Sequence, residues 1–527
     1  MNKIIVSIVI VFVCFVSYGQ ANLPFEVEID TLNIPQLGGI QSYAFGQSGS
    51  KWLIVGGRLD GLHKRQPWAS FDPAGNNNNL IVIDPITKQK WSTSLSSLPT
   101  NIQEQLSSTN MGFYQKGDYL YCIGGYGFSA NSNDHITYPY LTSIEVSKVI
   151  QSIIDGLSIT PYFKQIEYSK MQVTGGKLKT INDRYYLLGG QKFMGRYNPM
   201  GPNNGPGFIQ EYTNSVRIFD LKQDVGQLPQ ILNYTEWVDT NLFHRRDYNA
   251  EPQILSDGKQ GIMMFSGVFR TDADLPFLNT ISINENNYKE NTGFKHLLHN
   301  YHCPVVPIYS EVNQSMYNIF FGGIAQYYYE NGILMKDDNV PFVKTISCVS
   351  RNNKDSFIES KLNIELPEFL GAGAEFIPNQ NIAVYDNHVQ KFDDFSNERE
   401  LIGYIYGGIS STAANIFFSN GSDLSKASSM IFKVYLKKKD NSSEISENNS
   451  FSNTVYPNPF IHSITVETIS DADQTISVYN IQGQEVKSIK MNSHSKKMDI
   501  DLSLLPKNSW YLIKLSNKNQ VYKLYKK

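Results

Sequence analysis

The segment Trp52-Leu-Ile-Val-Gly56-Gly57 decides the fold, because an apolar strand that ends in a glycine pair occurs six times in the chain. Equivalent segments follow at 119–125, 185–190, 262–267, 317–323 and 404–408. Ser266 replaces the first glycine in the fourth unit. A unit that repeats every 56 to 85 residues indicates a solenoid or a propeller. Glycine permits close backbone approach and positive φ values, so the pairs are predicted to be architectural.

The first unit contains four predicted strands, which favours a propeller over a solenoid. They lie at 41–46, 51–57, 80–84 and 90–95. Four antiparallel strands with such connections form one propeller blade. The sixth unit lacks a fourth strand, whereas segment 25–30 alternates apolar and acidic residues and has no unit of its own. We therefore expect strand 25–30 to complete the sixth blade and close the ring.

The segment that follows the first glycine pair resembles the kelch repeat. It reads Val82-Ile-Asp-Pro-Ile-Thr-Lys-Gln-Lys-Trp91, and the resemblance extends over about residues 24–438. The third unit keeps a recognisable match at 216–220 with Trp237, while the fourth and fifth units have no equivalent tryptophan. The resemblance implies an all-β fold with a six-bladed kelch-like propeller over residues 20–438. It is specific for the fold and not for an activity.

A second domain is predicted after a charged, Ser/Asn-rich linker at 439–452. Residues 453–527 alternate as short strands, which predicts a small antiparallel β-sandwich. This stretch contains Tyr456-Pro-Asn-Pro459 and Val478-Tyr-Asn-Ile-Gln-Gly-Gln-Glu-Val486, and it ends in Lys526-Lys527. It resembles the C-terminal sorting domain of the type IX secretion system of Bacteroidetes, although Ser509 stands where that family usually has glycine. The resemblance implies contact with the type IX machinery, passage through the outer membrane, removal of this domain, and release or attachment at the cell surface.

Residues 1–19 have the pattern of a secretory signal peptide. Lys3 precedes an apolar stretch at 4–16, and Ser17 and Gly19 suit cleavage before Gln20. This stretch is too short to favour a membrane span, and no later segment is long and apolar enough. The net charge of −3 and the pI near 6.3 argue against a general nucleic-acid binder. We therefore expect an exported protein without a transmembrane segment.

Three cysteines remain beyond the signal peptide, at positions 122, 303 and 348. All of them lie in apolar, strand-like segments, so buried free thiols are expected. Because the compartment is oxidising, a Cys303–Cys348 bridge is the alternative.

The loops that follow the glycine pairs carry the extra length of the repeats, which predicts where the functional surface lies. They span 58–79, 126–140, 191–213, 268–278, 324–341 and 409–428. In a propeller these loops share one face with the segments that enter each first strand. Long loops on one face commonly build the binding surface, so we expect a ligand at the mouth of the central channel.

Cationic and aromatic side chains in these loops are candidates for binding a carbohydrate or a carboxylate. For each of them, an ordinary solvated loop or packing between loops is the alternative. The candidates in the first, third and fifth loops are Arg58, His63, Arg65, Trp68, Arg196, Tyr197 and Tyr328.

The segment His244-Arg245-Arg246-Asp247 enters the fourth blade beside the predicted channel mouth. Its arginines could hold an anionic ligand by bidentate hydrogen bonds, and a structural ion pair with Asp247 is an equal alternative. His299 and His302 are weak metal-ligand candidates, because with His296 they recur every three residues. No carboxylate or thiolate at ligand spacing accompanies them, so we predict no metal and no cofactor.

The sequence contains no catalytic motif that assigns a reaction. A Gly-x-Ser-x-Gly elbow, a His-Glu-x-x-His pair and a phosphate loop are all missing. The leading hypothesis is therefore a non-catalytic propeller that binds a glycan or a surface protein through its long-loop face. One alternative is a carbohydrate-active enzyme, such as an isomerase similar to the bacterial sialic acid mutarotases, with Arg245, Arg246 and Asp247 in its site. Another alternative is a purely adhesive surface protein.

Overall fold

The computed structural model describes residues 23–198, 200–201, 204–205, 207–417, 423–439, 454–467, 473–493, 495–516 and 521–527. The chain divides into unit 1, Met1–Lys439, and unit 2, Asp440–Lys527. Strands dominate both units, so the fold is all-β as predicted. The predicted signal peptide at 1–19 and, apart from Lys439, the predicted linker lie outside the described residues.

Within the described residues, unit 1 contains six large sheets, each built on four neighbouring antiparallel strands. Two-stranded hairpins in the loops are described separately below. Sheet 1 comprises Ala44–Ser48, Lys51–Val55, Asn79–Asp84 and Gln89–Ser94. Sheet 2 comprises Gly112–Lys116, Tyr119–Ile123, Tyr140–Glu145 and Phe163–Glu167. Sheet 3 comprises Lys177–Ile181, Arg184–Leu188, Ser215–Lys222 and Gln230–Val238.

The second half of unit 1 repeats this arrangement. Sheet 4 comprises Asn249–Ile254, Gln260–Phe265, Thr280–Ile283 and Tyr288–Glu290. Sheet 5 comprises Val305–Ser310, Ser315–Phe321, Thr345–Asn352 and Phe357–Glu365, with Gln390–Lys391 added parallel to its first strand. Sheet 6 comprises Ala374–Pro378, Arg399–Gly407, Ile431–Lys438 and the N-terminal strand Phe25–Leu32. The chain therefore enters and leaves unit 1 in the same sheet.

Apolar clusters join the six sheets in a closed cycle. Each sheet shares a cluster of buried side chains with the next one along the chain, from sheet 1 to sheet 6. Sheet 6 shares another with sheet 1, in which the rings of Trp52 and Tyr404 lie 5.0 Å apart. The first strands of neighbouring sheets contact one another, so they surround a common axis.

The glycine pairs place the sheets close together. The first residue of every pair has a positive φ, including Ser266 at +56°. A Cβ atom on Gly124 would lie 1.8 Å from the carbonyl oxygen of Val173, which enters sheet 3. The second residue of each pair donates its N–H, at 2.7–3.1 Å, to a backbone carbonyl in the segment that leads into the next sheet. The donors and acceptors are Gly57 and Ser108, Gly125 and Val173, Gly190 and Arg245, Gly267 and Asn300, Gly323 and Leu370, and Gly408 and Ile40. These six hydrogen bonds form an outer ring that returns to sheet 1.

A second set of backbone hydrogen bonds forms an inner ring just before the first strands. Its members are Ser42, Asn110, Gly175, Asp247, His302 and Gly373, one from the segment entering each sheet. Each N–H donates at 2.7–3.1 Å to the carbonyl of the preceding member, and Ser42 donates to Gly373. The two rings therefore run in opposite senses around the axis. Every member except His302 has a positive φ, which allows the chain to turn sharply there.

The loops after the glycine pairs add short strands on one face of the cycle. Four of these loops contain hairpins: Tyr126–Ser129 with Asp134–Thr137, Gln191–Met194 with Ile209–Tyr212, Tyr327–Glu330 with Ile333–Lys336, and Ile409–Ser411 with Ser425–Ala427. Short 3₁₀ helices lie at Pro73–Gly75, Leu95–Ser97, Thr160–Tyr162, Ser169–Met171 and Phe392–Asp394.

Two α-helices, Thr100–Leu106 and Val146–Asp155, were not predicted from the sequence. The longer one buries Val146, Val149, Ile150 and Ile153, whose spacing places them on one face. Both helices pack into the apolar cluster between sheets 1 and 2. The regular strand pattern on either side of them obscures this helical period.

The segment at 379–398 covers the end of the axis opposite to the inner ring. Asn387 donates to the carbonyl of Gln253 in the first strand of sheet 4, at 3.0 Å. His388 contacts the ring of Tyr114 in the first strand of sheet 2, with centroids 5.7 Å apart. Gln390 pairs with Ile308 in the first strand of sheet 5. The segment therefore packs against the first strands of sheets 2, 4 and 5.

The three cysteines that the structure describes in unit 1, at positions 122, 303 and 348, are buried and free. The predicted free thiols are confirmed, and the alternative Cys303–Cys348 bridge is wrong. Burial raises the pKa of the Cys303 thiol to about 12, so it stays protonated at neutral pH.

Unit 2 is formed by two antiparallel sheets around one apolar core. The smaller sheet comprises Thr454–Tyr456, Ser463–Glu467 and Lys497–Asp501. The larger comprises Glu485–Met491, Gln474–Asn480, Ser509–Leu515 and Val521–Lys526. Asn508, at φ +55°, is a left-handed residue directly before the strand Ser509–Leu515.

Lys526 fastens the last strand of unit 2. It is 1 % exposed, and its ammonium group donates to the carbonyls of Leu502, Ser503 and Leu505 at 2.6–2.8 Å. Lys526→Met is therefore expected to destabilise unit 2 by about 2 kcal/mol, because three carbonyls lose their donor. Hydrogen exchange of strand Val521–Lys526 in the full chain measures this effect. The exposed residue Lys527 provides the control. An equal loss of hydrogen-exchange protection in Lys527→Met would contradict the role assigned to Lys526.

Candidate functional site

A cavity of about 910 Å³ lies on the axis, on the long-loop side of the inner ring. All six members of the inner ring line it, and its walls come from the loops that follow the glycine pairs. We call it the mouth cavity. Below the ring lies a chamber of only about 10 Å³, lined in part by Lys177 and Glu375. A volume of this size holds about one water molecule, so the ring is the floor of the mouth cavity for any larger ligand.

One side of the mouth cavity is an aromatic wall built by the loops of sheets 1 to 3. His63 stacks on Phe71 with centroids 4.9 Å apart and meets Tyr197 at 4.8 Å. The chain of ring contacts continues from Phe71 through Tyr126 and Phe193 to Phe208. All six rings line the cavity. A continuous aromatic surface of this kind suits the apolar face of a sugar or another flat ligand.

The first long loop is held rigidly at the cavity edge by Arg58. This residue is 2 % exposed, and its guanidinium donates to Asp60 at 2.7 Å, to Asn76 at 2.8 Å and to the Asp72 carbonyl at 3.1 Å. Arg65 reaches the last long loop, where it donates to the Phe417 carbonyl at 2.8 Å. Arg58 therefore lines the cavity mainly as a support for its wall.

The opposite side is a polar wall, and its centre is Arg246. The guanidinium forms an ion pair with Asp247 and lies 5.3 Å from the Phe269 ring. Burial disfavours its charge, but Asp247 and the hydroxyls of Tyr212 and Tyr301 outweigh this and raise the pKa of Arg246. Within the described residues, its buried Nε donates to no acceptor. The polar wall thus places a permanently charged guanidinium beside the cavity.

The floor of the cavity carries a second ion pair. His302 Nε2 lies 3.0 Å from Glu375 Oε1, and both side chains are largely buried. Burial disfavours the charge of Glu375, but His302, Lys177 and Lys179 outweigh it and lower the pKa of this carboxyl. A charged Glu375 therefore faces the imidazole at neutral pH.

Most of the predicted site residues come together at the cavity. Its lining includes Arg58, His63, Arg65, Tyr197, Arg246 and Asp247, together with the weak metal candidate His302. Those outside the lining are Trp68, Arg196, Arg245, Tyr328 and His299. Trp68 is 75 % exposed, and Arg196 donates to the Ser70 carbonyl at 2.6 Å. Tyr328 lies in the hairpin of the fifth long loop.

Arg245 is a structural residue, although it directly precedes Arg246. It is fully buried and donates to the carbonyls of Leu242 and Ser266, at 2.6 and 2.7 Å, and to Asn279 at 3.1 Å. Its guanidinium also lies 4.1 Å from the Phe277 ring. The sequence alone placed Arg245 in the site because it does not show which of two successive arginines faces the cavity and which faces the interior.

The histidines considered as metal ligands have separate roles. His299 is buried, and its Nδ1 lies 2.7 Å from the Gly322 carbonyl oxygen, while His302 contacts Glu375. His296 lies 3.0 Å from Glu359, away from the cavity. Among the described residues, no group of three or more suitable side chains is placed to hold a metal ion.

Several lining residues were missed in the sequence, although a positional signal marks some of them. The residue directly after each glycine pair lines the cavity in five units: Arg58, Tyr126, Gln191, Ile324 and Ile409. The contact between the rings of Phe193 and Phe208 depends on how the third long loop folds back on itself. The approach of Tyr301 to Arg246 depends on two segments that enter neighbouring sheets. No pattern in a single sequence reports such pairing.

His63 is predicted to stay neutral down to acidic pH. Burial in the aromatic wall, together with the positive charges of Arg246 and Arg58, lowers its pKa to about 4. The unfolded chain binds the proton near pH 6.5, so this histidine's contribution to stability is complete above that pH and declines towards pH 4. A nitrogen-15 NMR titration measures the midpoint. His63→Gln should flatten the decline in stability, and a midpoint near 6.5 would contradict the prediction.

Comparison with known proteins identifies unit 2. Residues 454–527 match the family described as the secretion system C-terminal sorting domain. This confirms the predicted sorting domain, and the protein is therefore exported across the outer membrane to a secreted or cell-surface state. No helix in the described ranges is long and apolar enough to cross a membrane.

The comparisons say less about unit 1. No curated protein matches the chain. The solved structure titled "Structure of YjhT" is similar over 77 % of this chain and 97 % of that chain, with 13 % sequence identity and a TM-score of 0.41.

Proposed function

We propose that residues 20–438 form a six-bladed kelch-like propeller that binds a glycan in the mouth cavity after export. The closed cycle of sheets and the two rings of six hydrogen bonds support the blade number. In this proposal residues 1–19 are the signal peptide, residues 439–452 are the linker, and residues 453–527 contact the type IX machinery.

The observation that carries the glycan proposal is the pairing of an aromatic wall with a polar wall across one cavity. Sugars present an apolar ring face and a rim of hydroxyl groups, so one ligand can contact both walls. The Arg246 guanidinium favours a ligand with a carboxylate, which accepts charged hydrogen bonds from it. A volume of about 910 Å³ suits a mono- or disaccharide better than a flat protein surface.

Glycan arrays and titration calorimetry test this function, with D-galacturonic acid as the anionic probe and D-galactose as the neutral one. We expect the acid to bind more tightly than galactose. Tyr197→Ala should weaken binding by about tenfold, because it removes a ring of the aromatic wall. Trp68→Ala is the matched control, since this ring lies outside the cavity lining. A blank array together with a blank titration would reject the proposal.

A sugar isomerase is a second candidate function, and the cavity floor favours it. Asp247 and the His302–Glu375 pair place titratable groups beside the proposed ligand position. Catalysed exchange between the anomers of a reducing sugar, followed by polarimetry, would distinguish this enzyme from a binding protein.

A further inference from the structure

We infer that the mouth cavity takes the end residue of an oligosaccharide, and that the indole of Trp68 stacks on a sugar that follows this residue outside the mouth. This inference rests on the proposed glycan binding, and it adds the length of the ligand and a second contact residue. Trp68 does not line the cavity, so its contact is with the part of the glycan that projects from it.

The floor of the mouth cavity determines how a longer glycan can lie. Backbone hydrogen bonds of 2.7–3.1 Å close the inner ring, and the chamber below it has a volume of about 10 Å³. A sugar ring is much larger than this chamber, so a glycan cannot thread through the ring. The cavity suits a mono- or disaccharide, which leaves no room for a chain that enters and returns. The seated sugar is therefore the end of its chain.

Trp68 differs from the other tryptophans that the structure describes in unit 1. Trp52, Trp91 and Trp237 pack into the apolar clusters of the sheets, whereas Trp68 is 75 % exposed. Within the described residues, its ring contacts no other aromatic ring, and its N–H, which is not buried, donates to no acceptor. The ring and its polar group therefore both remain available to a ligand.

A short turn holds the backbone of Trp68 in place. Pro67 occupies the second position of the turn at 66–69, which its fixed φ suits. The Gln66 carbonyl accepts the N–H groups of Ala69 and Ser70 at 2.9 and 2.8 Å. Because the backbone is already ordered, a ligand that stacks on the indole loses less entropy on binding.

This turn lies at the rim of the mouth cavity. Arg65 and Phe71, on either side of the turn, both line the cavity. Three residues span at most about 11 Å, so Trp68 lies within that distance of a lining residue on each side. The buried hydroxyl of Ser70 donates to the Tyr197 carbonyl at 2.6 Å, which ties the turn to the third long loop.

The link to Tyr197 favours a glycan over a protein as the partner of Trp68. Tyr197 belongs to the aromatic wall, where its ring meets His63 at 4.8 Å. The ring that contacts the end sugar and the ring that contacts a following sugar are therefore held in fixed relation. Successive sugars of one chain each present an apolar face, so a single glycan can use both rings.

Calorimetry with galacturonic acid and its α-1,4-linked trimer tests the role of Trp68 in the full chain. We expect the trimer to bind about tenfold more tightly than the monomer, because it gains the indole contact. Trp68→Ala should reduce this affinity ratio to about one, and Trp68→Phe should retain most of it. Tyr197→Ala should weaken both ligands and keep the ratio, since it acts on the end sugar.

Val312 provides the matched control for an exposed apolar side chain. It is 82 % exposed and lies between the first two strands of sheet 5, on the face opposite to the long loops. Val312→Ala should keep the affinity ratio of the parent. A loss of the ratio in this variant as well would contradict a specific contact with Trp68.

A second measurement tests recognition of the chain end. Polygalacturonic acid is cleaved to short oligomers at constant total mass, and calorimetry counts the binding sites before and after cleavage. The number of sites should rise in proportion to the number of chain ends. An unchanged number would show binding along the chain and overturn recognition of the end residue.

The outcomes separate this inference from the proposed function. If the monomer binds but the trimer binds no more tightly, or if Trp68→Ala keeps the ratio, the role of Trp68 is overturned and glycan binding stands. If neither the monomer nor the trimer binds, the proposed function fails together with the inference.

Discussion

Replacement of Gly124 with alanine is expected to destabilise unit 1 by about 4 kcal/mol, measured by urea unfolding of the full chain. The new Cβ atom would lie 1.8 Å from the Val173 carbonyl oxygen and 2.8 Å from its carbon. Because that carbonyl belongs to the segment entering sheet 3 and accepts the N–H of Gly125, it cannot move without opening the outer ring. The backbone also has φ +64°, which costs any other L-residue free energy.

Gly117 provides the matched control, since it shares the backbone conformation without the close approach. Its φ is +58°, and no atom lies within 4 Å of the position that an alanine Cβ would occupy. Gly117→Ala should cost only about 1 kcal/mol, the conformational part of the penalty. Equal losses in the two variants would show that backbone conformation, and not contact between sheets, explains the recurring glycines.

Arg246→Gln is expected to weaken binding of galacturonic acid by roughly 100-fold, or about 2–3 kcal/mol. The Arg246 side chain lines the cavity, and its guanidinium is the charged donor of the polar wall. Binding of neutral galactose should change much less, because it presents no charge to this residue. Calorimetry on both sugars measures the difference, and an equal loss for both would contradict carboxylate recognition.

The neighbouring residue tests whether this effect belongs to the cavity. Arg245→Met removes donors from two buried carbonyls and from Asn279, so it should lower the free energy of unfolding by about 3 kcal/mol. Folded Arg245→Met protein should nevertheless bind galacturonic acid as the parent does. Two adjacent arginines are thus expected to affect different properties.

The sheets were largely predictable, because their signals are local in the sequence. Each glycine pair marks a backbone conformation and a close approach that few other residues permit. The alternation at 25–30 indicated an edge strand, and Phe25–Leu32 pairs with Ile431–Lys438. By contrast, the helix Val146–Asp155 lies inside a connection of a regular β-repeat, where its short apolar period is hard to distinguish from that of the neighbouring strands.

The site was predictable in its location but not in its chemistry. The long loops and the segments entering each sheet do line one cavity. The pairing of His302 with Glu375 joins residues that are far apart in the chain, and only the inner ring brings them together. The position of segment 379–398 likewise depends on contacts with three different sheets.

The position of strand Ile431–Lys438 determines how unit 1 responds to a force applied at residue 439. This strand lies between Phe25–Leu32 on one side and Arg399–Gly407 on the other. Beyond it, the N–H of Lys439 donates to the Pro24 carbonyl at 3.0 Å. A pull on residue 439 along the strand therefore loads both ladders of hydrogen bonds in shear, so that they must fail together and not one after another. Strand Ile431–Lys438 is therefore expected to resist tension applied at residue 439.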